Sequence, residues 1–168
     1  MPRYRRYFTK AQTIFLTMVT AAREPWLLDE KCKQVVLQAL RETRKHHPFN
    51  HHAHVLLHDH LHLLISPHDD VAIPRLVGSF KQCALASLPH LSESPRRMWQ
   101  RRYYDHIIRD PEDFQRHLDY VHFNPVKHGL VTHASAWQWS SFSTWQSRGA
   151  YTEDWGICEP TNLNGMTE

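Results

Sequence analysis

The chain has 168 residues, 41% of them hydrophobic, with 20 Lys and Arg against 17 Asp and Glu and a formal net charge of +3. That length fits one domain, able to bury about 70% of its unfolded surface without covalent staples. Cys32, Cys83 and Cys158 are odd in number, far apart and without any CxxC, which argues against a disulfide framework or a cysteine zinc site and for a reducing, cytoplasmic setting. No run is long enough to span a membrane.

Taken in order, the pattern alternates strands and helices. Arg3, Arg5 and Arg6 followed by Thr13 to Ala22 imitate a secretory signal, but Thr13, Thr17 and Thr20 interrupt the run and β-branched residues dominate it, so Gln12 to Val19 reads as a first strand. Asp29 caps a helix with apolar positions at Cys32, Val35, Val36, Ala39 and Leu40, ending near His47-Pro48. Phe49 to Leu57 is a second strand. A turn at His58-Asp59 leads into a third that ends near Ser66-Pro67, and the two form an antiparallel hairpin. A helix starting near Pro74 buries Leu76, Val77, Phe80, Cys83 and Ala84 and ends by Pro89. Met98 to Ile107 reads as a fourth strand. Asp110-Pro111-Glu112-Asp113 then opens a helix with a capping Asp, Pro in first position and acids against the dipole. Asn124, preceding Pro125, is disfavoured in helical geometry, which predicts an end at about Phe123.

The order β-α-β-β-α-β is that of a split βαβ, or ferredoxin-like, α+β fold. Its third strand lies in the middle of the sheet. In a strand His58, His60 and His62 share one face while Leu61, Leu63 and Ile65 fill the other, so the pattern is a rigid platform bearing imidazoles, the commonest metal ligands. His51, His52 and His54 read as histidines that fall near each other by chance in a chain with 15 of them. On the last helix Tyr120 and Asn124, four residues apart, aim a phenol and an amide at one region.

Charge is uneven along the chain. All 20 Lys and Arg stand in residues 1–148 against 13 acids, while residues 149–168 hold four acids, Glu153, Asp154, Glu159 and Glu168, and no base. Arginine clusters at Arg3, Arg5 and Arg6 and at Arg96, Arg97, Arg101 and Arg102, interleaved with Tyr4, Tyr7, Trp99, Tyr103 and Tyr104. Guanidinium forks with aromatic rings between them favour nucleic acid as the partner over a merely solvated basic face.

The ensemble resembles the Y1, or HUH, single-strand DNA transposases, and within them the REP-associated tyrosine transposases. The segments that carry the likeness are Tyr4-Arg5-Arg6, His60-Leu61-His62, Trp99 to His106, Asp119-Tyr120, Asn124 to Leu130, and Trp137-Gln138-Trp139-Ser140-Ser141. One departure is visible: the family usually has Pro-Glu before the first histidine, and this chain has His58-Asp59, which leaves His58 as a bystander or an extra ligand. The resemblance implies that His60, His62 and Asn124 hold one Mg²⁺ or Mn²⁺ ion, and that Tyr120 attacks phosphorus to form a 5′-phosphotyrosine and release a 3′ hydroxyl. It further implies a single-stranded DNA hairpin, a REP-like palindrome, as partner of a bacterial, nucleoid-associated monomer or homodimer. Arg5, Arg6, Arg101, Arg102 and Lys127 are the expected DNA contacts, with His58 and His128 as accessory candidates.

Two rival readings follow from the same residues. One is a non-catalytic single-strand nucleic-acid-binding module of RRM-like shape; the other is a metal hydrolase using His58, His60 and His62. Trp137, Trp139 and Phe142 are expected to close the core, and His117 to lie exposed on a face adjoining that of Tyr120. Residues 1–148 form the catalytic domain in this reading. Residues 149–168 form an acidic tail, anchored by Tyr151, Trp155 and Ile157, that restrains DNA binding or turnover.

Overall fold

The structure is a computed structural model and describes residues 12–68, 71–88 and 98–166. Four antiparallel strands, β1 (Ile14–Val19), β2 (Phe49–Leu56), β3 (His60–Pro67) and β4 (Tyr104–Ile107), lie in the order β2-β3-β1-β4. This is the α+β, ferredoxin-like arrangement expected, with β3 inside the sheet. Strand alternation sorts the side chains. Ile14, Leu16, Met18, Leu61, Leu63 and Ile65 pack under α1 (Glu30–His46) and α2 (Ile73–Ala86), whereas Phe15, Ala53, Val55 and Leu64 pack under α3 (Pro111–Lys127). Each fully buried leucine in these layers contributes about 1.5–3 kcal/mol.

Local signals explain the helices. Asp29 accepts a hydrogen bond from the Lys31 amide at 2.8 Å, and Asp110 accepts from that of Asp113 at 2.8 Å, so each capping aspartate satisfies an amide that the first turn leaves open. Pro74 and Pro111 stand in the first turns of α2 and α3, where a missing N–H costs nothing. α3 is unusual: besides Leu118, Val121 and Phe123 it buries Asp113, His117, Asp119, His122 and Asn124. Burying that many polar groups is unfavourable unless partners or ligands meet them.

Three expectations need correction here. α3 does not end at Phe123 but runs through Pro125 to Lys127. Proline forbids only the bond its own nitrogen would donate; the last turn is held by His128 N–H to Asn124 O at 3.0 Å and Leu130 N–H to Pro125 O at 2.9 Å, and Gly129, at φ 66°, ends it. The fourth strand covers only Tyr104–Ile107. Upstream, Trp99 makes a single bridge to Thr20 and drives its indole against Trp26 and Phe80, at centroid distances of 5.1 and 5.7 Å, which takes the following residues off the ladder. His58 lies in the turn before β3, so it does not share the pleat of His60 and His62; its ring packs on Trp137 at 5.7 Å.

The C-terminal segment packs against α3. A short α4 (Phe142–Ser147) seats Phe142 in the core. Tyr151 and Leu163 are buried beside it with Trp155 partly buried, but Ile157 is 58% exposed and anchors nothing. The Tyr151 hydroxyl donates to Asp119 Oδ1 at 2.9 Å and the Asn162 amide to Asp119 Oδ2 at 2.7 Å. The upstream histidines bond within the fold: His52 to Ser66 at 2.7 Å and His54 to His51 at 3.1 Å.

Candidate active site

His60 and His62 project from β3 toward α3, opposite Val19 and Thr17 of β1. They are 2% and 1% exposed, and their rings meet edge to face at 4.8 Å. Each Nδ1 has a fixed partner. His60 Nδ1 donates to Asp59 Oδ1 at 2.6 Å, and His62 Nδ1 lies 2.9 Å from Thr17 Oγ1. An ionised carboxylate only accepts, so the His60 proton sits on Nδ1 and leaves the lone pair on Nε2, the arrangement a metal-binding imidazole needs. Burial pushes Asp59 up, but hydrogen bonds from His60 and from Arg23, 2.9 Å from Oδ2, outweigh it and hold the carboxyl below its ordinary value. Burial, reinforced by the positive groups nearby, holds the His62 pKa well below that of a free imidazole.

α3 supplies the other wall. The Tyr120 ring lies 5.3 Å from that of His62 and 5.9 Å from Phe15. One turn on, Asn124 is fully buried, and neither its amide nitrogen nor its amide oxygen has a hydrogen-bond partner among the described residues; the same holds for His62 Nε2. Leaving such a group unsatisfied costs about 1–3 kcal/mol. Two imidazole nitrogens and an amide oxygen form a donor set whose chemistry fits a divalent cation, and a cation would meet the buried polar atoms that have no partner among the described residues. Lys127 holds its ammonium 4.8 Å over the Tyr120 ring and 3.4 Å from the Met166 carbonyl, and the His128 ring is 5.2 Å from that of His60.

A cavity of about 490 Å³ opens over this surface, lined among others by Arg23, His60, Arg102, Tyr104, His117 and Tyr120. The structure thus brings His60, Arg102 and Tyr120 to one opening, with Lys127 on the Tyr120 ring. Arg101 is exposed outside the cavity lining, and His58 is not brought to it, which removes the three-histidine hydrolase site. Arg5, Arg6, Arg96 and Arg97 lie outside the described residues.

Sequence reasoning missed Asp59, Thr17 and Arg23, which orient the histidines. Asp59 was visible as the acid beside His60; Thr17 had no signal, being 45 residues away from His62. His117, expected to be exposed, is 6% exposed and faces the cavity.

A histidine pair on an inner strand with a tyrosine-bearing helix laid across it is the arrangement that the resemblance to tyrosine transposases leads one to expect, and it differs from an RRM-like module, whose central strands carry aromatic stacking residues. The family described as "Transposase IS200 like" matches residues 9–124, and the chain belongs to it: this is an enzyme of DNA cleavage and rejoining. The chain is 34% identical over 157 residues to the REP-associated tyrosine transposase of Escherichia coli strain K12, covering 92% of this chain and 91% of that one. A Haemophilus influenzae protein provisionally given the same name is 36% identical over 166 residues, covering 93% and 94%. The solved structure of a REP-associated tyrosine transposase bound to a REP hairpin superposes with a TM-score of 0.81 at 30% identity, covering all of both chains. Among the described residues no helix is long and apolar enough to cross a membrane.

Proposed function

We propose that this transposase binds a folded single-stranded DNA hairpin of the REP type and cuts the strand beside it through Tyr120. The observation that carries the reading is the fully buried Asn124 amide, without a partner among the described residues, one helical turn from a tyrosine that packs on His62. His60, His62 and Asn124 are the residues to hold a divalent ion, Mg²⁺ or Mn²⁺. All three donors are neutral, so the bound ion would supply its full charge to the oxygens of the scissile phosphate.

The chain's own groups do the rest. Tyr120 is the nucleophile and becomes joined to the 5′ phosphate, releasing a 3′ hydroxyl. A phenol, with pKa about 10, is a better leaving group than an alkoxide, so another 3′ end can reverse the linkage without ATP. Lys127, over the Tyr120 ring, favours the phenolate, and Arg102 at the cavity mouth meets the backbone phosphates. Arg5, Arg6 and Arg101 are further candidates for DNA contact. His128, beside His60, is an accessory group, while His58 stays a bystander. Tyr120, His60, His62 and Asn124 belong to one chain, so a monomer carries a complete set. The compartment that holds its DNA substrate is the bacterial cytoplasm.

The test mixes protein, Mn²⁺ or Mg²⁺ and end-labelled hairpin single strands and looks for a protein-DNA band that survives denaturation. Tyr120→Phe is expected to retain hairpin affinity and to lose the band; a persisting adduct moves the nucleophile elsewhere.

A further inference from the structure

His117, three residues before Tyr120, lines the same cavity, and the two rings flank Phe15 at centroid distances of 4.9 and 5.9 Å. Its Nδ1 lies 2.8 Å from the Asp113 carbonyl oxygen and 3.1 Å from Asp113 Oδ1. Both are acceptors only, so the single proton of the neutral ring sits on Nδ1 and the lone pair on Nε2. That Nε2 makes no hydrogen bond among the described residues. Helix positions i and i+3 stand about 5–6 Å apart at Cβ, so the two side chains leave adjoining faces of α3 into the same cavity; no hydrogen bond joins them among the described residues, and the proton's path between phenol and imidazole runs through a water in that cavity.

We propose that His117 is the general base that takes the Tyr120 proton, with Asp113 as the group that positions it. This rests on Tyr120 being the nucleophile. As the Tyr120 oxygen attacks, its O–H bond breaks and the proton passes to His117 Nε2. The new O–P bond forms, the bond from phosphorus to the 3′ oxygen breaks, and that oxygen leaves with a proton from solvent. During rejoining a 3′ hydroxyl gives its proton to solvent as its oxygen bonds to phosphorus, the bond from phosphorus to the Tyr120 oxygen breaks, and the imidazolium returns its proton to the departing phenolate. Asp113 is suited to its part: burial pushes it up, but hydrogen bonds from Arg109 and His106 outweigh that and hold it far below the usual carboxylate range. It therefore meets the imidazolium as an anion, the relation that a triad aspartate has to its histidine.

The groups facing His117 are Asp113 and Arg116 from its own helix, His106 of β4 stacked at 4.5 Å, and apolar Phe15 of β1; burial holds His117 below the ordinary imidazole value. His106, Asp113 and His117 also offer ligand atoms within 4.8 Å of one another, the spacing of a second cation site. Their inner atoms are already joined by protons, however. His106 Nε2 is 2.8 Å and Arg109 Nε 3.1 Å from Asp113 Oδ2, so a cation would displace both as well as the His117 bond, and proton transfer is the use this geometry favours.

The experiment is single-turnover adduct formation on a labelled hairpin strand at saturating Mn²⁺, with hairpin affinity measured in parallel. His117→Gln can still hydrogen-bond to the Asp113 carbonyl but cannot accept the proton, and His117→Ala leaves room for added imidazole. Both are expected to slow adduct formation by about 10²–10⁴-fold with unchanged affinity, and imidazole to restore His117→Ala in proportion to its concentration. A near-normal rate in His117→Gln overturns the proposal, as does an His117→Ala deficit that imidazole leaves untouched. Tyr120→Phe, run beside them, separates the two readings: an adduct there removes Tyr120 as nucleophile, whereas its absence together with a fast His117→Gln sinks only the base.

Discussion

Asp59 Oδ1 accepts the Nδ1 proton of His60 at 2.6 Å, and Asp59 in turn pairs with Arg23 at 2.9 Å, so an arginine beyond the end of β1 sets the tautomer of a histidine on β3. The carboxylate orients the ring, keeps the lone pair on the side facing α3 and raises the basicity of that nitrogen. This explains how the chain tolerates Asp at the residue preceding the first histidine.

Asp59→Asn keeps the size but loses the negative charge. Its expected effect is a 10- to 100-fold loss in Mn²⁺ affinity, about the cost of removing such a partner from a ligating histidine, read by Mn²⁺ titration of cleavage. Unchanged affinity would mean that Asp59 only shapes the turn.

Asn124→Leu separates ligand from structure. The buried amide without a partner is a burden to the ion-free fold, so replacing it by an apolar group of similar size should leave the ion-free protein as stable as before, or more stable by about 1–2 kcal/mol. The same change should abolish the rise in Tm that Mn²⁺ gives the unaltered chain. Thermal unfolding with and without Mn²⁺ reads both effects, and a Mn²⁺ shift that persists in the variant removes Asn124 from the ligand set.

The buried histidines predict acid sensitivity. Burial lowers His122 and His54 to about 3, below the unfolded value of 6.5. Below pH 6.5 the unfolded chain takes up protons that the folded chain refuses, so stability is full above that pH and falls as pH drops toward 3. The two together give a slope of up to about 2.7 kcal/mol per pH unit over the steep part. Denaturant unfolding between pH 4 and 8 measures it; His122→Gln, which removes one of the two, should flatten the slope.

If Arg5, Arg6, Arg101 and Arg102 follow the phosphate backbone, single-strand affinity falls with salt, with a logarithmic slope of about 0.7 per neutralised phosphate. Replacing the four by alanine should flatten that dependence. An unchanged slope would return them to the solvated surface.

Residues 149–168 are the remaining test. Since Tyr151 and Leu163 are buried in the α3-side core, ending the chain at Arg148 should destabilise it by several kcal/mol, as expected for losing two large buried side chains. Ending it at Asn164 removes Met166 from the cavity wall and from Lys127 while sparing both. If the segment beyond Asn164 restrains turnover, that shorter truncation speeds adduct formation; an unchanged rate leaves any restraint to Glu153, Asp154 and Glu159, which it retains.

Much of this protein is readable from one dimension, because the signals are local. Alternation at His60, Leu61, His62, Leu63 puts two imidazoles on one face of a strand whatever the rest of the chain does, and Asp110-Pro111 starts the helix that carries Tyr120 and Asn124 one turn apart. These patterns need only strand and helix periods. What they leave open is which faces meet. Thr17 reaches His62 across the β1–β3 register, Asp119 is held by residues more than 30 positions away, and His117 turns inward because Phe15 and His106 fill the space beside it. The last turn of α3 forms through Pro125 although local sterics disfavour helical geometry at Asn124, since the His128 and Leu130 amides bond the carbonyls of Asn124 and Pro125. Sequence by itself determined the chemistry on each element. Only tertiary packing decided that His60, His117 and Tyr120 share one cavity and that His58 does not, because those contacts depend on sheet order and on which side chains exclude one another from the same volume.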